Sequence, residues 1–155
     1  MARVRKSDVK KFNDHLTAAQ KEAKKEMYGL DVATFNGVAG TGKSSLAVNY
    51  AYEQLCLKNV DKIIITRATA MRKQHDLVAL SFIQGRTFEN AIIIVDEYQN
   101  LDEVDIQMVI TRLGRNSKMI FSGDFRQSLI YNSGIETLNA ACDKFDRMKN
   151  FTFTE

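Results

Sequence analysis

The chain has 155 residues, of which 45% are apolar, with a formal charge of +3, two cysteines, two histidines and no proline. That length suits one domain with a sizeable core, and no apolar run approaches the ~18–20 residues that span a bilayer. Cys56 and Cys142 lie far apart and His15 and His75 are isolated, which argues against a protein-built thiolate or imidazole metal site. The N-terminus lacks the apolar core of a signal peptide. A cytoplasmic chain with buried free thiols is the expectation.

Residues 1–26 carry eight Lys/Arg against four Asp/Glu, a net of +4, while the remainder carries 14 against 15, a net of −1. A basic segment can touch a phosphate backbone. No aromatic residues are interleaved to stack bases, so a solvated helix face is the preferred reading. The pattern predicts a helix over residues 7–27, stopped by Gly29. Residues 1–29 are thus a basic helical segment on or beside one domain spanning 1–155.

Residues 32–36 read as a strand. Gly37-Val38-Ala39-Gly40-Thr41-Gly42-Lys43-Ser44 follows, which is G-x-x-x-x-G-K-[ST] without a mismatch. A helical stretch over 44–57 comes next, so strand, glycine loop and helix are in the required order. Gly37, Gly40 and Gly42 allow backbone bends that side chains would block. Loop N–H groups and the positive helix end then face an anion. Lys43 is placed to reach β- and γ-phosphates, and Ser44 to offer a hydroxyl to Mg²⁺. A nucleoside triphosphate is the expected ligand.

Ile63-Ile64-Ile65 is a continuous apolar run, the mark of a strand buried on both faces. Residues 68–90 are ambiguous, with room for one short helix. Ile92-Ile93-Ile94-Val95 is a second buried strand, and Asp96-Glu97 stands directly after it. Side chains at the carboxyl end of a parallel strand face the ligand crevice. Asp96 fits an acid that holds Mg²⁺, and Glu97 a base that orients the attacking water. An acidic turn is the blander alternative.

Asn100 or Asp102 can cap a helix running to Leu113, closed by Gly114. Residues 119–121 are another strand. Gly123-Asp124-Phe125-Arg126-Gln127 follows it, and the Gln127 amide can contact a γ-phosphate or the attacking water. Ser133-x-x-Glu136 is a capping box, and residues 151–154 alternate as a last strand. Strands alternating with helices predict an α/β fold, a three-layer parallel sheet with helices on both faces.

The motifs in this order, with Ile-Ile-Ile-Thr-Arg at 63–67, Phe-Ile-Gln-Gly-Arg-Thr-Phe-Glu-Asn-Ala at 82–91, Asp-Glu-Tyr-Gln-Asn at 96–100, Thr-Arg-Leu-Gly at 111–114 and Ser-Lys-Met-Ile-Phe-Ser-Gly-Asp at 117–124, resemble the PhoH-like ATPases. The form is similar to those carried by bacteriophages, within the superfamily-one helicase-like group. The resemblance spans roughly residues 20–154 and implies a RecA-like P-loop NTPase domain using ATP and Mg²⁺. It places Gln20 as an adenine-reading glutamine, Asp96 as the metal-linked acid, Glu97 as the catalytic glutamate and Gln127 as the glutamine of Gly-Asp-x-x-Gln. Arg86 matches the Gly-Arg-Thr arginine, whose role stays open. It also implies a link to phosphate starvation, action on single-stranded RNA or other nucleic acid, and a host cytoplasm for a phage protein. The family usually has Pro at Val38 and Ala68 and Ala at Tyr98, and tens of residues where only 68–81 intervene here.

Two-lobed relatives close ATP between two RecA-like domains, the second supplying an arginine worth orders of magnitude in rate. One such domain is visible here, so a head-to-tail homo-oligomeric ring, a hexamer among the possible closures, is expected to supply Arg112, Arg115, Arg126 or Arg86 from a neighbour. Two alternatives stand beside the ATPase: a nucleotide or nucleoside kinase, and a nucleotide-dependent binding switch without turnover.

Overall fold

The computed structural model describes residues 13–69, 85–128 and 134–154. Among them five strands form one sheet: β1 (Val32–Gly37), β2 (Lys62–Arg67), β3 (Ala91–Asp96), β4 (Lys118–Gly123) and β5 (Met148–Phe153), in the spatial order β2-β3-β4-β1-β5. Every pairing is parallel. The helices are α1 (Ala18–Glu26), α2 (Lys43–Cys56), α3 (Glu103–Ile110) and α4 (Gly134–Lys144).

Side-chain alternation along the strands builds two cores. On β3, Ile92 and Ile94 pack with Phe35, Ile120 and the apolar faces of α1 and α2, including Ala23, Met27, Leu46 and Tyr50. Ala91, Ile93 and Val95 point the other way, to Phe121, Ile106 and Val109 of α3, and Ile135 and Leu138 of α4. Each fully buried Ile contributes roughly 1.5–3 kcal/mol. The three-layer α/β expectation is met, and β3 is the strand buried on both faces that its sequence announces.

Ile63-Ile64-Ile65 is different. β2 pairs only with β3 and forms a sheet edge. Ile63 and Ile64 are half-buried and Ile65 is 60% exposed, so this run is not buried on both faces. Apolar composition reports strand propensity here, not position in the sheet. The thiols also differ from expectation, since Cys56 and Cys142 are only half-buried. Burial still pushes the Cys142 thiol up to about 11.

The helix expected over 7–27 is interrupted: residues 13 and 14 are helical, and a turn at 15 separates them from α1. Residues 16 and 17 are not helical, and Thr17 opens α1 with a capping box: its side chain accepts from Gln20 N, while Gln20 Oε1 accepts from Thr17 N. The signal is Thr-x-x-Gln, with Gln in place of the commoner Glu. Asp102 rather than Asn100 caps α3, accepting from Asp105 N, and the helix stops at Ile110, short of Leu113. Ser133 lies outside the described residues, as do 1–12 and 70–84.

The basic segment is not uniformly solvated. Lys21 and Lys25 are exposed, but Lys24 is buried. Its Nζ lies 2.8 Å from Glu53 Oε2 and donates to Asn13 Oδ1 and Asn49 Oδ1 at 2.6 and 2.7 Å. It ties α1 to α2. Lys118, at the start of β4, donates to the Met27 and Leu30 carbonyls, which fixes the turn after α1. No helix among the described residues is long and apolar enough to cross a membrane.

Removing one partner of a buried ion pair strands the other charge at a cost of about 3–5 kcal/mol. Lys24→Met is therefore expected to lower the melting temperature by roughly 6–20 °C, read by thermal denaturation. Lys21→Met, on the exposed face, is expected to leave it within about 2 °C. Equal effects of the two changes would contradict the buried pairing.

Candidate phosphate-binding site

Gly37, Gly40 and Gly42 all adopt positive φ, at 154°, 89° and 75°. Gly42 is the N-cap of α2 in the left-handed region, and a Cβ there would lie 2.9 Å from Gln20 Nε2. Only glycine fits that position without strain. The loop is closed by its own polar atoms. Lys43 Nζ donates to the Gly37 and Val38 carbonyls, both at 2.7 Å, and to Thr41 Oγ1 at 3.3 Å. Gln20 Nε2 donates to the Thr41 carbonyl at 2.9 Å. The position predicted to read adenine is thus buried against the glycine loop and braces it.

Three strand ends meet this loop. Ser44 Oγ donates to Asp96 Oδ1 at 2.8 Å and lies 3.1 Å from Ser122 Oγ on β4. β4 stands between β1 and β3, so Ser122 bridges the gap between the loop helix and the acid strand. A cavity of about 350 Å³ opens at these ends, lined by Ala39, Gly40, Lys43, Ser44, Asp96, Glu97 and Gln127 among others. Val38 and Thr41 sit in the loop behind it. Burial lowers the affinity of Lys43 for its proton, opposed by the charges of Asp124, Glu97 and Asp96 in that order.

Glu97 occupies the left-handed region at φ 56°, ψ 36°. A non-glycine residue held there costs on the order of 1–3 kcal/mol and persists where surroundings fix it. Two donors do so: Gln99 Nε2 to Glu97 Oε2 at 2.5 Å, and Arg67 Nη2 to Glu97 Oε1 at 3.2 Å. Gln99 is buried, and its Oε1 accepts from Asp124 N at 3.2 Å. One amide side chain therefore links the acid pair to the Gly-Asp-x-x-Gln loop. Asp124 is itself buried and accepts from Arg126 N at 3.0 Å.

Sequence reasoning missed four lining or supporting residues: Arg67, Gln99, Ser122 and Asp124. Gln99 and Asp124 lie inside motifs already singled out by their neighbours. Arg67 is legible only through register, which pairs it with Asp96. Conversely, Arg86, Arg112 and Arg115 do not join the cavity. Phe88 N bonds to the Arg112 carbonyl and Asn90 N to that of Arg115, which sets this group at the amino ends of β3 and β4. Arg126 is exposed beside Gln127.

Lys43 and Arg67 face three carboxylates in this cavity, those of Asp96, Glu97 and Asp124. That balance disfavours a bare triphosphate and suits one carrying a divalent cation. Ser44 and Asp96 supply hard oxygen donors of the kind Mg²⁺ takes, alongside phosphate oxygens and water. Among the described residues no cluster of three or more His, Cys, Asp or Glu could hold a metal alone.

The chain is similar to the family described as PhoH-like protein, whose model matches residues 14–77 and 68–155. The two stretches meet at 68–77, within the segment where the resemblance expects extra residues. A PhoH-like protein of Synechocystis sp. is 28% identical over 85% of this chain and 52% of its own length. One of Bacillus subtilis is 30% identical over 72% of this chain and 48% of its own. The chain spans about half the length of these relatives. Among solved structures, the Pif1 helicase of Candida albicans matches with a TM-score of 0.53 and 18% identity, over 90% of this chain and 40% of that one. This last likeness concerns the fold alone.

Gly123 ends β4 where a Cβ would stand 2.3 Å from Gln99 Oε1 and 2.7 Å from Tyr98 Cδ1. Gly123→Ala is expected to cost about 1–3 kcal/mol by overpacking. It should also displace Gln99 from Glu97. Gly29→Ala, which meets nothing within 4 Å, serves as the neutral comparison. Equal melting temperatures for the two variants would contradict the close packing under Glu97.

Proposed function

The chain belongs to the PhoH-like protein family, and from that premise we propose that it binds ATP with Mg²⁺ and hydrolyses it by water attack, in a cycle coupled to single-stranded RNA or another nucleic acid. The convergence of Lys43, Ser44, Asp96 and Glu97 on one cavity carries the reading. Its helicase-like setting and nucleic-acid coupling rest on family likeness, an analogy at the level of fold.

The roles follow from charge and reach. The glycine loop, 37–44, takes the β- and γ-phosphates in place of the contacts that Lys43 makes with the loop carbonyls. Ser44 and Asp96 would hold Mg²⁺, which would supply positive charge against that developing on the phosphate. Glu97 accepts a hydrogen bond from the attacking water and takes its proton. The water oxygen bonds to the γ-phosphorus as the bond to the β–γ bridging oxygen breaks, and ADP leaves with that electron pair. Gln127 contacts the γ-phosphate or the water and passes its loss to the Gly-Asp-x-x-Gln loop. Gln20 braces the loop beside the adenine.

Glu97 and Gln127 beside Lys43 suit a water nucleophile, which speaks against the kinase alternative, since that reaction needs an acceptor alcohol in place of water. Glu97→Gln is expected to keep ATP affinity within about threefold and to lose at least 100-fold in phosphate release, a loss in the range of a general base. Single-stranded RNA is expected to raise wild-type turnover. Phosphate transfer to a nucleoside without free phosphate would favour a kinase, and tight binding without turnover a switch. Unchanged turnover in Glu97→Gln would remove that carboxylate from its role.

A further inference from the structure

The arginine that completes phosphoryl transfer need not come from a neighbour, because one already sits on the cavity. Arg67 is the sole arginine among the described residues that line it. It ends the edge strand β2, beside Asp96 in the ladder, and Ala68 N donates to the Asp96 carbonyl at 2.9 Å. The backbone is pinned, while the side chain is 68% exposed. Its Nη2 lies 3.2 Å from Glu97 Oε1 and its Nε 3.9 Å from Asp96 Oδ2.

We propose that Arg67 is a catalytic residue acting in cis: it pairs with Glu97 before nucleotide binds, then moves to the γ-phosphoryl group and leaves Glu97 free for water. The inference rests on the hydrolysis proposed above. Distance supports it. A water held by Glu97 lies about 2.6–3.2 Å from the carboxylate, and the phosphorus it attacks roughly 3–3.5 Å further. A guanidinium already in contact with Glu97 is therefore within a short swing of the reacting group. Its planar fork suits phosphate oxygens.

Two effects of Arg67 on rate oppose each other, and magnitude decides between them. Holding Glu97 in an exposed ion pair slows reaction by about fivefold at most. An arginine on the transferring phosphoryl group speeds it by 10³–10⁵. Removal must then lower turnover.

The experiment compares wild type, Arg67→Gln and Glu97→Gln in single-turnover phosphate release from magnesium-ATP, with ADP plus aluminium fluoride as a transition-state mimic read by calorimetry. The expected result for Arg67→Gln is a loss of at least 100-fold in rate and a comparable loss of mimic affinity. ADP affinity should stay within threefold and the melting temperature within 2 °C. Mixing the two inactive variants should restore nothing, because each chain needs its own Arg67. Restored activity on mixing would place the arginine in trans and overturn the proposal. So would undiminished turnover of Arg67→Gln beside an inactive Glu97→Gln, with hydrolysis itself intact. A wild type that releases no phosphate under any condition would overturn the hydrolysis reading and this inference together.

Discussion

Register in the parallel ladder is the constraint on which the site depends. Asn36 pairs with Gly123 and Asp96 with Ser122, so β1, β4 and β3 end at one level. The glycine loop, the Gly-Asp-x-x-Gln loop and the acid pair leave the sheet side by side. A slip of one residue would turn every side chain to the opposite face, sending Ile92 and Ile94 into the wrong core and Asp96 away from Ser44. Two apolar cores, one on each face, hold that register. The polar chemistry at the strand ends is therefore fixed by apolar packing several residues earlier.

Within this frame the site is a balance of partly neutralised charges. Lys43 is wrapped by carbonyls of its own loop, and burial makes its charged form less favourable. Glu97 sits in a strained backbone conformation between Gln99 and Arg67. Asp96 is engaged by Ser44. Each contact is one that a magnesium-bearing polyphosphate can exchange for its own oxygens and positive charge.

The glycine loop, the strand β3 and the acid pair were legible in the sequence because each is a local pattern: fixed glycine spacing, an apolar run, two acids after it. The chain's own departure at Tyr98, where relatives usually carry Ala, is explained only in three dimensions. Tyr98 is fully buried, packs edge-on to Phe121 and donates to Asn36 Oδ1. β2 misled because an apolar run does not say whether a strand is central or at an edge. Arg67 and Lys24 were illegible for a shared reason. Their partners, Glu97 and Glu53, lie about thirty residues away, and charged side chains in sequence look solvated until the fold supplies a partner. Arg86, Arg112 and Arg115 were candidates by type, and the topology sets them at the amino ends of β3 and β4.

Everything proposed for this chain requires the cavity to take a magnesium-bound triphosphate through the loop at 37–44. Titration calorimetry with magnesium and a non-hydrolysable ATP analogue tests it most directly, on wild type and on Lys43→Ala. Saturable binding of one nucleotide per chain is expected, weakened at least 30-fold in the variant and weakened also when magnesium is withheld. Absence of binding heat in the wild type, or equal affinity in the two proteins, would contradict it.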